Sequence, residues 1–375
     1  MIQITGITLR DITLPLKTPF RISSGVTTVR RIMLVAVEDA DGAVGWGECV
    51  ADREPHYSAE TIETCRLALR AWVAPRVLGK QFARAADIHT ALERDFKGHR
   101  MAKAAVEMAV WALEAERTGI ALAVLLGGTR DMIDVGISLG IQDSPDALVE
   151  QARAARGQGY RRIKLKVTPG RDLDYVRAVR EALGNDLTLS VDANAAYQLE
   201  DAEHLAGFDE FGLVMIEQPF EAEDLRRHAE LQRRLRTPLC LDESITSANR
   251  AEDAMALGSA RIINIKPGRV GGFTSAKAIH DICAAHDIPV WCGGMLEAGI
   301  GRAHNIALAS LPHFTLPGDL SPSARYWEQD IVTPEWTMTA DGRVRVPRDR
   351  PGLGVDVNMD RIDDLTVRTE ALRAP

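Results

Sequence analysis

Five short apolar runs in the middle of the chain stand out in its hydrophobic pattern. Each is rich in β-branched or other apolar residues, and each ends in a side chain that can bind a metal ion or move a proton. Runs of this length and composition predict buried strands. They cover residues 161–167, 187–192, 213–217, 238–242 and 261–266.

The polar residues at the ends of these runs recur at nearly constant spacing. The steps from position 166 to 192, 217, 242 and 266 are 26, 25, 25 and 24 residues. Helix-length amphipathic segments, such as 172–183 and 223–235, lie between the runs. Strands that alternate with helices predict a parallel sheet, and in a closed (β/α)8 barrel the C-terminal strand ends form a ring.

The first part of the chain has a different pattern, with strands first and helices afterwards. Residues 2–16, 31–38 and 43–48 are typical of an antiparallel meander, with Asp41 and Gly42 at the second turn. Helical segments follow near 58–74, 86–97 and 100–118. This order predicts an α+β domain over residues 1–125.

The alternating pattern predicts a barrel domain over residues 126–320. Its first strand is 135–139, and the repeats continue through 288–292 to about 314–316. From position 321 the pattern breaks into segments that contain Pro and Gly. We expect residues 321–375 to pack back on the first domain.

Composition excludes some partners. A net charge of -8, with 26% charged and 46% hydrophobic residues, gives no basic surface for nucleic acid. No apolar segment is long enough to span a bilayer, and the N-terminus has no signal-peptide pattern, which predicts no membrane partner and a cytoplasmic location. The five cysteines include no CxxC pair, which favours reduced core thiols.

Three acidic residues come from neighbouring predicted strands. Asp192, Glu217 and Asp242 would converge at the ring, where three carboxylates need neutralisation. Mg²⁺ suits a few carboxylate ligands with open positions, and Mn²⁺ or another divalent ion is the alternative. Separate ion pairs or helix caps would also explain single acids, but three at successive strand ends favour a metal site.

Lysines flank this acidic set on both sides. Lys164 and Lys166 point to the same face of one strand, and their apolar neighbours place that face inside the barrel mouth. Lys266 comes from a strand across the ring. Two lysines on opposite sides of a bound substrate indicate proton transfer at both of its faces, and solvated or ion-paired lysines are the simpler alternative.

Five motifs lie at these strand ends: Lys164-Leu165-Lys166, Asp192-Ala193-Asn194, Glu217-Gln218-Pro219, Asp242-Glu243-Ser244 and the segment 266–272. Together they resemble the enolase superfamily, in its muconate-lactonizing subgroup. Within that subgroup the chain is similar to the N-succinylamino acid racemase and o-succinylbenzoate synthase family, nearly end to end. Any one motif is weak, whereas the ordered set is specific.

The resemblance implies a modified TIM barrel of (β/α)7β type under an N-terminal α+β capping domain. It also implies Mg²⁺ on the three acids and Lys166 and Lys266 as opposed acid/base groups, with an enediolate stabilised by the metal. A lysine of ordinary pKa, about 10.4, is protonated at pH 7, so we expect its neighbours to lower that pKa. Lys164 would act on Lys166, and Arg269 on Lys266.

Supporting and substrate-contacting positions follow from the same resemblance. Asn194 would support the metal ligands or a substrate oxygen. Residues 23–27 and 53–57 would lie over the barrel mouth. The substrate-binding residues implied are Phe20, Tyr57, Ser138, Gly293, Gly294, Met295 and Tyr326.

Three functions are compatible with these residues. The first is racemisation of N-acylamino acids, such as N-succinylamino acids, by 1,1-proton transfer. The second is dehydration to o-succinylbenzoate in menaquinone biosynthesis, in which Lys266 need only stabilise charge. The third is a metal-free Schiff-base aldolase, which leaves three carboxylates without a role. The family further implies a small-molecule carboxylate substrate and a homo-oligomer.

Overall fold

The structure is a computed structural model, and it describes residues 1–23 and 25–374. Its first part contains a β-meander followed by helices. The strands are β1 (Ile2–Ile22), β2 (Gly25–Asp39), β3 (Val44–Cys49) and the short β4 (Gln81–Phe82). The helices are α1 (Ile62–Ala68), α2 (Ala74–Val77), α3 (Asp87–Glu93), α4 (Arg100–Thr118) and α5 (Leu122–Leu125), with a π-helical turn (Leu69–Val73) between α1 and α2.

The second part alternates strands with helices. Its strands are β5 (Met132–Asp134), β6 (Gly136–Leu139), β7 (Arg162–Lys166), β8 (Leu189–Asp192), β9 (Ile216–Glu217), β10 (Leu239–Leu241), β11 (Ile262–Ile265) and β12 (Val290–Cys292). Its helices are α6 (Pro145–Gly157), α7 (Leu173–Leu183), α8 (Ala202–Ala206), α9 (Leu225–Arg234), α10 (Ala248–Leu257), α11 (Pro267–Val270), α12 (Phe273–Ala285) and α13 (Gly299–Ala309).

The C-terminal part contains short strands and one short helix. In chain order they are β13 (Val332–Thr333), β14 (Arg343–Arg345), β15 (Asp356–Val357), α14 (Met359–Leu365) and β16 (Thr366–Arg373). Isolated 3-10 turns occupy Leu199–Asp201, Gly207–Glu210 and Ser323–Arg325.

Seven parallel strands form the central sheet, in the order β12-β11-β10-β9-β8-β7-β6. Residues between Phe314 and Gly318 then bridge the two edges, because Val290 pairs with Phe314 and Val135 pairs with Gly318. The backbone N–H of Gly136 donates to the carbonyl of Gly318 at 2.7 Å. The predicted modified barrel with a capping domain is therefore confirmed, with an irregular last segment in place of a regular eighth strand.

The capping sheet has the order β16-β1-β2-β3, with β4 beside β1. Its C-terminal strand β16 is antiparallel to β1, with Leu9 opposite Glu370. The hydrophobic pattern did not predict this strand, because most of its side chains are exposed or half-buried. The predicted domain boundaries at 125 and 320 stay predictions.

Most predicted elements lie where the pattern placed them, but several bounds differ. The first two strands are longer than predicted, since Phe20 pairs with Thr27 beyond the apolar runs. The predicted helix 58–74 begins only at Ile62, where the Thr61 side chain accepts a hydrogen bond from the Thr64 N–H. The predicted helix 100–118 matches α4, which ends at Gly119 with φ 67°.

Two further sequence expectations concern thiols and membranes. All five cysteines are free and buried, as the reduced-thiol prediction requires. Across the described ranges, the structure contains no helix whose length and apolarity would let it cross a membrane.

Candidate active site at the barrel mouth

The C-terminal strand ends bring the predicted carboxylates and lysines together. Lys166 lies opposite Asp192 in the pairing of β7 with β8, and Asp192 lies opposite Glu217 in the pairing of β8 with β9. Asp242 and Lys266 directly follow β10 and β11. The apolar strand residues on either side are buried in the barrel, which fixes these polar ends at its mouth.

Lys164 lies at the centre of a buried charge network. Its Nζ is 2.8 Å from Glu217 Oε2, 3.1 Å from Asp192 Oδ2 and 2.7 Å from Asp319 Oδ2. Burial lowers the pKa of Lys164, but Asp319, Glu217 and Asp192 outweigh this and raise it. Arg162 also pairs with Asp319, at 3.0 Å. Lys164 is therefore a fixed cation that neutralises the acidic ring.

Lys166 reaches the ring from the same strand. Its Nζ lies 2.7 Å from Asp192 Oδ2 and 2.6 Å from Asn194 Oδ1. The Asn194 amide in turn donates to Glu243 Oε1 at 2.9 Å. Asn194 has the left-handed φ of 42°, a conformation that Asn tolerates better than most residues. Its side chain thus holds Lys166 in place on one side of the mouth.

Lys266 lies on the other side of the ring, directly after β11, which is four strands away from β7 in the sheet order. Its Nζ is 2.7 Å from Asp242 Oδ2 and 3.2 Å from the Tyr57 hydroxyl. Arg269 also pairs with Asp242, and its guanidinium donates to the Tyr57 hydroxyl at 3.1 Å. Tyr57 belongs to the capping domain, so that domain completes this side of the site.

The expectation that Arg269 lowers the pKa of Lys266 is not met. Burial lowers this pKa, but the neighbouring Tyr57 hydroxyl and the carboxylates of Glu243 and Glu217 outweigh burial and raise it. Arg269 faces Asp242 and the backbone carbonyls of Ile245 and Asn264, so its charge is already compensated. Glu217, which was predicted only as a metal ligand, therefore also raises the pKa of Lys266.

The three predicted metal ligands are almost completely buried. Asp192, Glu217 and Asp242 are each 1% exposed or less. Lys166, Lys164 and Lys266 contact them, which is the ion-paired arrangement that the sequence left open. Within residues 1–23 and 25–374, no three Asp, Glu, His or Cys side chains stand in a geometry that holds a metal ion.

The chemistry of these residues nevertheless suits a hard divalent cation. All the donors are carboxylate or amide oxygens, the ligand type that Mg²⁺ prefers. Burial and the neighbouring Asp192 raise the pKa of both Glu217 and Glu243, which shows negative charges crowded together. Glu243 Oε2 and Asn264 Oδ1 are buried and accept no hydrogen bond from the described residues. Free oxygen ligands therefore remain beside the three acids.

Three residues of the site were not predicted to belong to it. Asp319 holds Lys164, Glu243 holds Asn194, and the Asn264 amide donates to Glu217 Oε1 at 2.9 Å. Glu243 follows Asp242 directly, so its position in the Asp-Glu-Ser motif was an available signal. Asp319 lies in the irregular closing segment, where no periodic pattern marks it.

Three of the predicted substrate-binding residues lie against the lysines or their partners. Tyr57 contacts Asp242 at 2.9 Å as well as Lys266. A Cβ at Gly293 would lie 2.6 Å from Lys266 Cε, so only glycine leaves room for that side chain. A Cβ at Gly294 would meet the Asp319 carbonyl at 2.8 Å, which likewise places this glycine beside the ring.

The other predicted contacts lie farther round the mouth. Ser138 is opposite Lys164 in the β6–β7 pairing, and its hydroxyl is buried without a hydrogen-bond partner among the described residues. Met295 is half-buried against the core. Phe20 lines a separate cavity of about 270 Å³ beside Ile137. Tyr326 packs against Arg302, whose guanidinium carbon lies 5.5 Å from the centre of the Tyr326 ring.

An open cavity of about 420 Å³ leads from the surface towards Tyr57. The β1–β2 hairpin and the segment from Asp52 to Tyr57 line it, and a smaller cavity continues to Asn194 and Glu243. The predicted contacts at 23–27 and 53–57 therefore lie on the approach to the lysines, although Ser24 is outside the described residues. The cavities thus reach Tyr57, a neighbour of Lys266, and Asn194, a neighbour of Lys166.

Family models match both parts of this chain, and relatives match nearly its full length. The "Mandelate racemase / muconate lactonizing enzyme, N-terminal domain" matches residues 4–127, and the "Enolase C-terminal domain-like" model matches residues 147–361. An N-succinylamino acid racemase from Amycolatopsis sp is 49% identical over 364 residues, which is 97% of this chain and 98% of the relative. An o-succinylbenzoate synthase from Geobacillus kaustophilus is 49% identical over 365 residues, 97% and 96% of the two chains.

Solved structures show the same fold. An enolase superfamily member from Listeria innocua has a TM-score of 0.96 and 39% identity, and the match covers 100% of both chains. A dipeptide epimerase from Cytophaga hutchinsonii, complexed with Mg and a dipeptide, has a TM-score of 0.89 at 25% identity over 100% of both chains. The chain is therefore an enzyme of the enolase superfamily and belongs to its mandelate racemase and muconate lactonizing enzyme family, beside N-succinylamino acid racemases and o-succinylbenzoate synthases.

Proposed function

We propose that this enzyme racemises N-acylamino acids, with N-succinylamino acids as the first candidates, by 1,1-proton transfer. The observation that carries the proposal is the position of the two lysines. Lys166 ends β7 and Lys266 follows β11, with three strands between them, and both reach the same buried ring of carboxylates. A substrate held between them would present one face of its α-carbon to each lysine.

We assign the residues of this chain complementary tasks. One lysine removes the α-proton as a neutral amine, while the opposite lysine donates a proton as an ammonium. Asn194 fixes the direction of Lys166, and Tyr57 and Asp242 fix that of Lys266. Lys164 compensates the buried acids, and Tyr57 of the capping domain covers the Lys266 side of the mouth.

We also propose that Asp192, Glu217 and Asp242 hold a divalent cation, Mg²⁺ in the first place. Support comes from their oxygen donors, their crowding, and the two free buried oxygens of Glu243 and Asn264. The cation would supply positive charge that offsets the negative charge developing on the substrate carboxylate. In the metal-bound enzyme the lysines would be released from some of their present ion pairs.

The second candidate activity is dehydration to o-succinylbenzoate, and the relatives of that name favour it. This elimination needs proton transfer on one face only, so Lys166 would act alone and Lys266 would stabilise charge. Both activities are compatible with one site. A menaquinone-pathway role, a cytoplasmic location and a homo-oligomeric assembly stay predictions.

Hydrogen exchange in D2O tests the two-lysine proposal. We expect the wild-type enzyme to exchange the α-hydrogen of both enantiomers of an N-succinylamino acid. Lys166→Ala should lose exchange of one enantiomer and Lys266→Ala that of the other. Racemisation needs both lysines, so it should fall in each variant by several orders of magnitude. Near-native interconversion of the enantiomers by both variants would contradict the proposal.

A further inference from the structure

Glu107 of the capping domain is completely buried, and its carboxylate crosses the domain boundary to the barrel. The backbone N–H of Phe273 donates to Oε2 at 2.7 Å, and that of Thr274 donates to Oε1 at 2.9 Å. The Thr274 hydroxyl and the Trp111 indole also donate to Oε1, at 2.6 and 2.9 Å. Helix α4 thus supplies the N-terminal cap of barrel helix α12.

Gly272 allows this approach. The residue has a φ of 110°, and a Cβ there would lie 2.2 Å from Glu107 Oε2. Helix α12 has no side-chain cap of its own at this position. A buried carboxylate at a helix N-terminus also interacts favourably with the helix dipole. The contact therefore replaces a local cap by one from another domain.

The capped helix is joined to Lys266 by a single tight turn. The N–H groups of Arg269 and Val270 donate to the Lys266 carbonyl at 3.0 and 3.1 Å, and that of Gly272 donates to the Pro267 carbonyl at 2.9 Å. The first residue held by Glu107 is Phe273. A shift of that residue is consequently transmitted to Lys266 and Arg269 through only six residues of hydrogen-bonded backbone, 267–272.

Lys166 is connected to the capping domain more weakly, because the exposed Ser23 hydroxyl donates to the backbone carbonyl of its partner Asn194 at 3.3 Å. It is the last residue of β7, and its partners Asp192 and Asn194 belong to the barrel. The capping contact at Glu107 therefore acts on one side of the ring. In chemical terms, it can change proton transfer at one face of the substrate without changing the other.

We propose that Glu107 is a positioning residue that sets the reach of Lys266, and thereby the rate of proton transfer at one face of the α-carbon. This inference rests on the proposed racemisation by two opposed lysines. Misplacement of a catalytic group by about 1 Å costs on the order of 100-fold in rate. Loss of the Glu107 contacts should therefore produce an enzyme with unequal exchange of the two enantiomers.

The test is Glu107→Gln, with α-hydrogen exchange in D2O measured separately for each enantiomer. The amide keeps the size of the side chain but points an NH2 group at one of the donors. We expect at least about tenfold slower exchange of the enantiomer that Lys266→Ala loses, and a change below about twofold for the other. The defect should appear in kcat and leave KM nearly unchanged, since Lys166 and the approach cavity are intact.

Asp209→Asn is a matched control. The Asp209 carboxylate accepts from the N–H groups of Arg236 and Thr237 and from the Thr237 hydroxyl, at 2.7 to 2.9 Å, before β10 begins. This variant loses the same kinds of hydrogen bond away from the lysines, so it should alter both enantiomers alike. If Glu107→Gln does not fold, Thr274→Val removes only the hydroxyl contact and should show the same asymmetry to a smaller extent.

The outcomes separate the two proposals. Equal losses for both enantiomers in the Glu107 or Thr274 variant, or no loss in either, would overturn the positioning role while leaving racemisation in place. A wild-type enzyme that exchanges neither enantiomer would overturn the proposed function, and this inference with it. Unequal loss confined to the face served by Lys266 supports both.

Discussion

At the scale of single residues, buried polar side chains in this enzyme are stabilised by specific partners, and His228 shows the consequence for pH. Its Nδ1 lies 2.7 Å from the Asp224 carbonyl, and its Nε2 accepts from the Phe220 N–H at 3.2 Å. The proton therefore sits on Nδ1 of a neutral ring. Burial lowers the pKa of His228 from 6.5 to about 4.

This shift predicts acid sensitivity with a definite sign. The folded-state pKa of His228 lies below its unfolded value of 6.5. The unfolding free energy is therefore at its full value above pH 6.5, where the ring is neutral in both states, and it decreases as the pH falls towards 4. Between pH 7 and pH 5, His228 should contribute about 1 to 2 kcal/mol of the loss in unfolding free energy.

Urea unfolding at the two pH values measures this contribution. The difference between pH 7 and pH 5 should be smaller in His228→Gln than in the wild type. The exposed His286→Gln serves as control and should behave as the wild type does. An unchanged pH dependence in His228→Gln would show that folding does not lower the pKa of this ring.

At the scale of elements, the capping domain depends on close contact between β3 and α4. Glycines at two alternate positions of the strand permit it, since a Cβ at Gly45 would lie 2.1 Å from the Ala109 carbonyl oxygen and one at Gly47 2.0 Å from that of Ala105. Both obstacles are backbone atoms. Because Glu107 lies on the same helix, this packing also positions the barrel contact.

Gly47→Ala should consequently destabilise the enzyme by about 1 to 3 kcal/mol, as overpacking in a rigid core does. Chemical unfolding measures the loss. Gly157→Ala is the control, because Gly157 lies at the end of α6 and a Cβ there meets nothing within 4 Å. That variant should be neutral or slightly more stable. Equal stability of Gly47→Ala and wild type would show that α4 moves freely away from β3.

At the scale of the whole molecule, the site is shared between the capping domain and the barrel. Tyr57 and Glu107 come from the first domain, whereas the carboxylates and lysines come from the second. A cation held by the ring would bind the folded enzyme alone, because the unfolded chain does not bring the three acids together. Its binding free energy therefore adds to stability.

Thermal unfolding should accordingly respond to Mg²⁺. At about 100 times the dissociation constant, a ligand specific for the folded state adds about 2.7 kcal/mol. We expect a higher melting temperature with Mg²⁺ than with a chelator, and loss of turnover after chelation that Mg²⁺ or Mn²⁺ restores. Asp242→Asn should lose the shift, while Asp209→Asn, away from the ring, should keep it. Full turnover of the metal-depleted enzyme would refute the metal assignment.

Local sequence determined the barrel and the identity of its chemically active ends. Short apolar runs rich in β-branched residues favour buried strands, and their spacing of 24 to 26 residues leaves room for one helix each. In a parallel sheet built this way, the ends of neighbouring strands meet at one edge. Lys166, Asp192 and Glu217 therefore lie side by side, as predicted. The local pattern also predicted a helix near residues 100–118, which matches α4.

Only the tertiary structure decided which partners these ends take. Tyr57 reaches Asp242 across 185 positions and Glu107 reaches Phe273 across 166, and no local periodicity carries such a contact. Strand β16 is mostly exposed and is stabilised by its pairing with β1, so its own residues show no buried-strand pattern. Asp319 gained its role from barrel closure. Physically, periodicity encodes which face of an element is buried, whereas charge pairing depends on distances that exist only once the domains have packed.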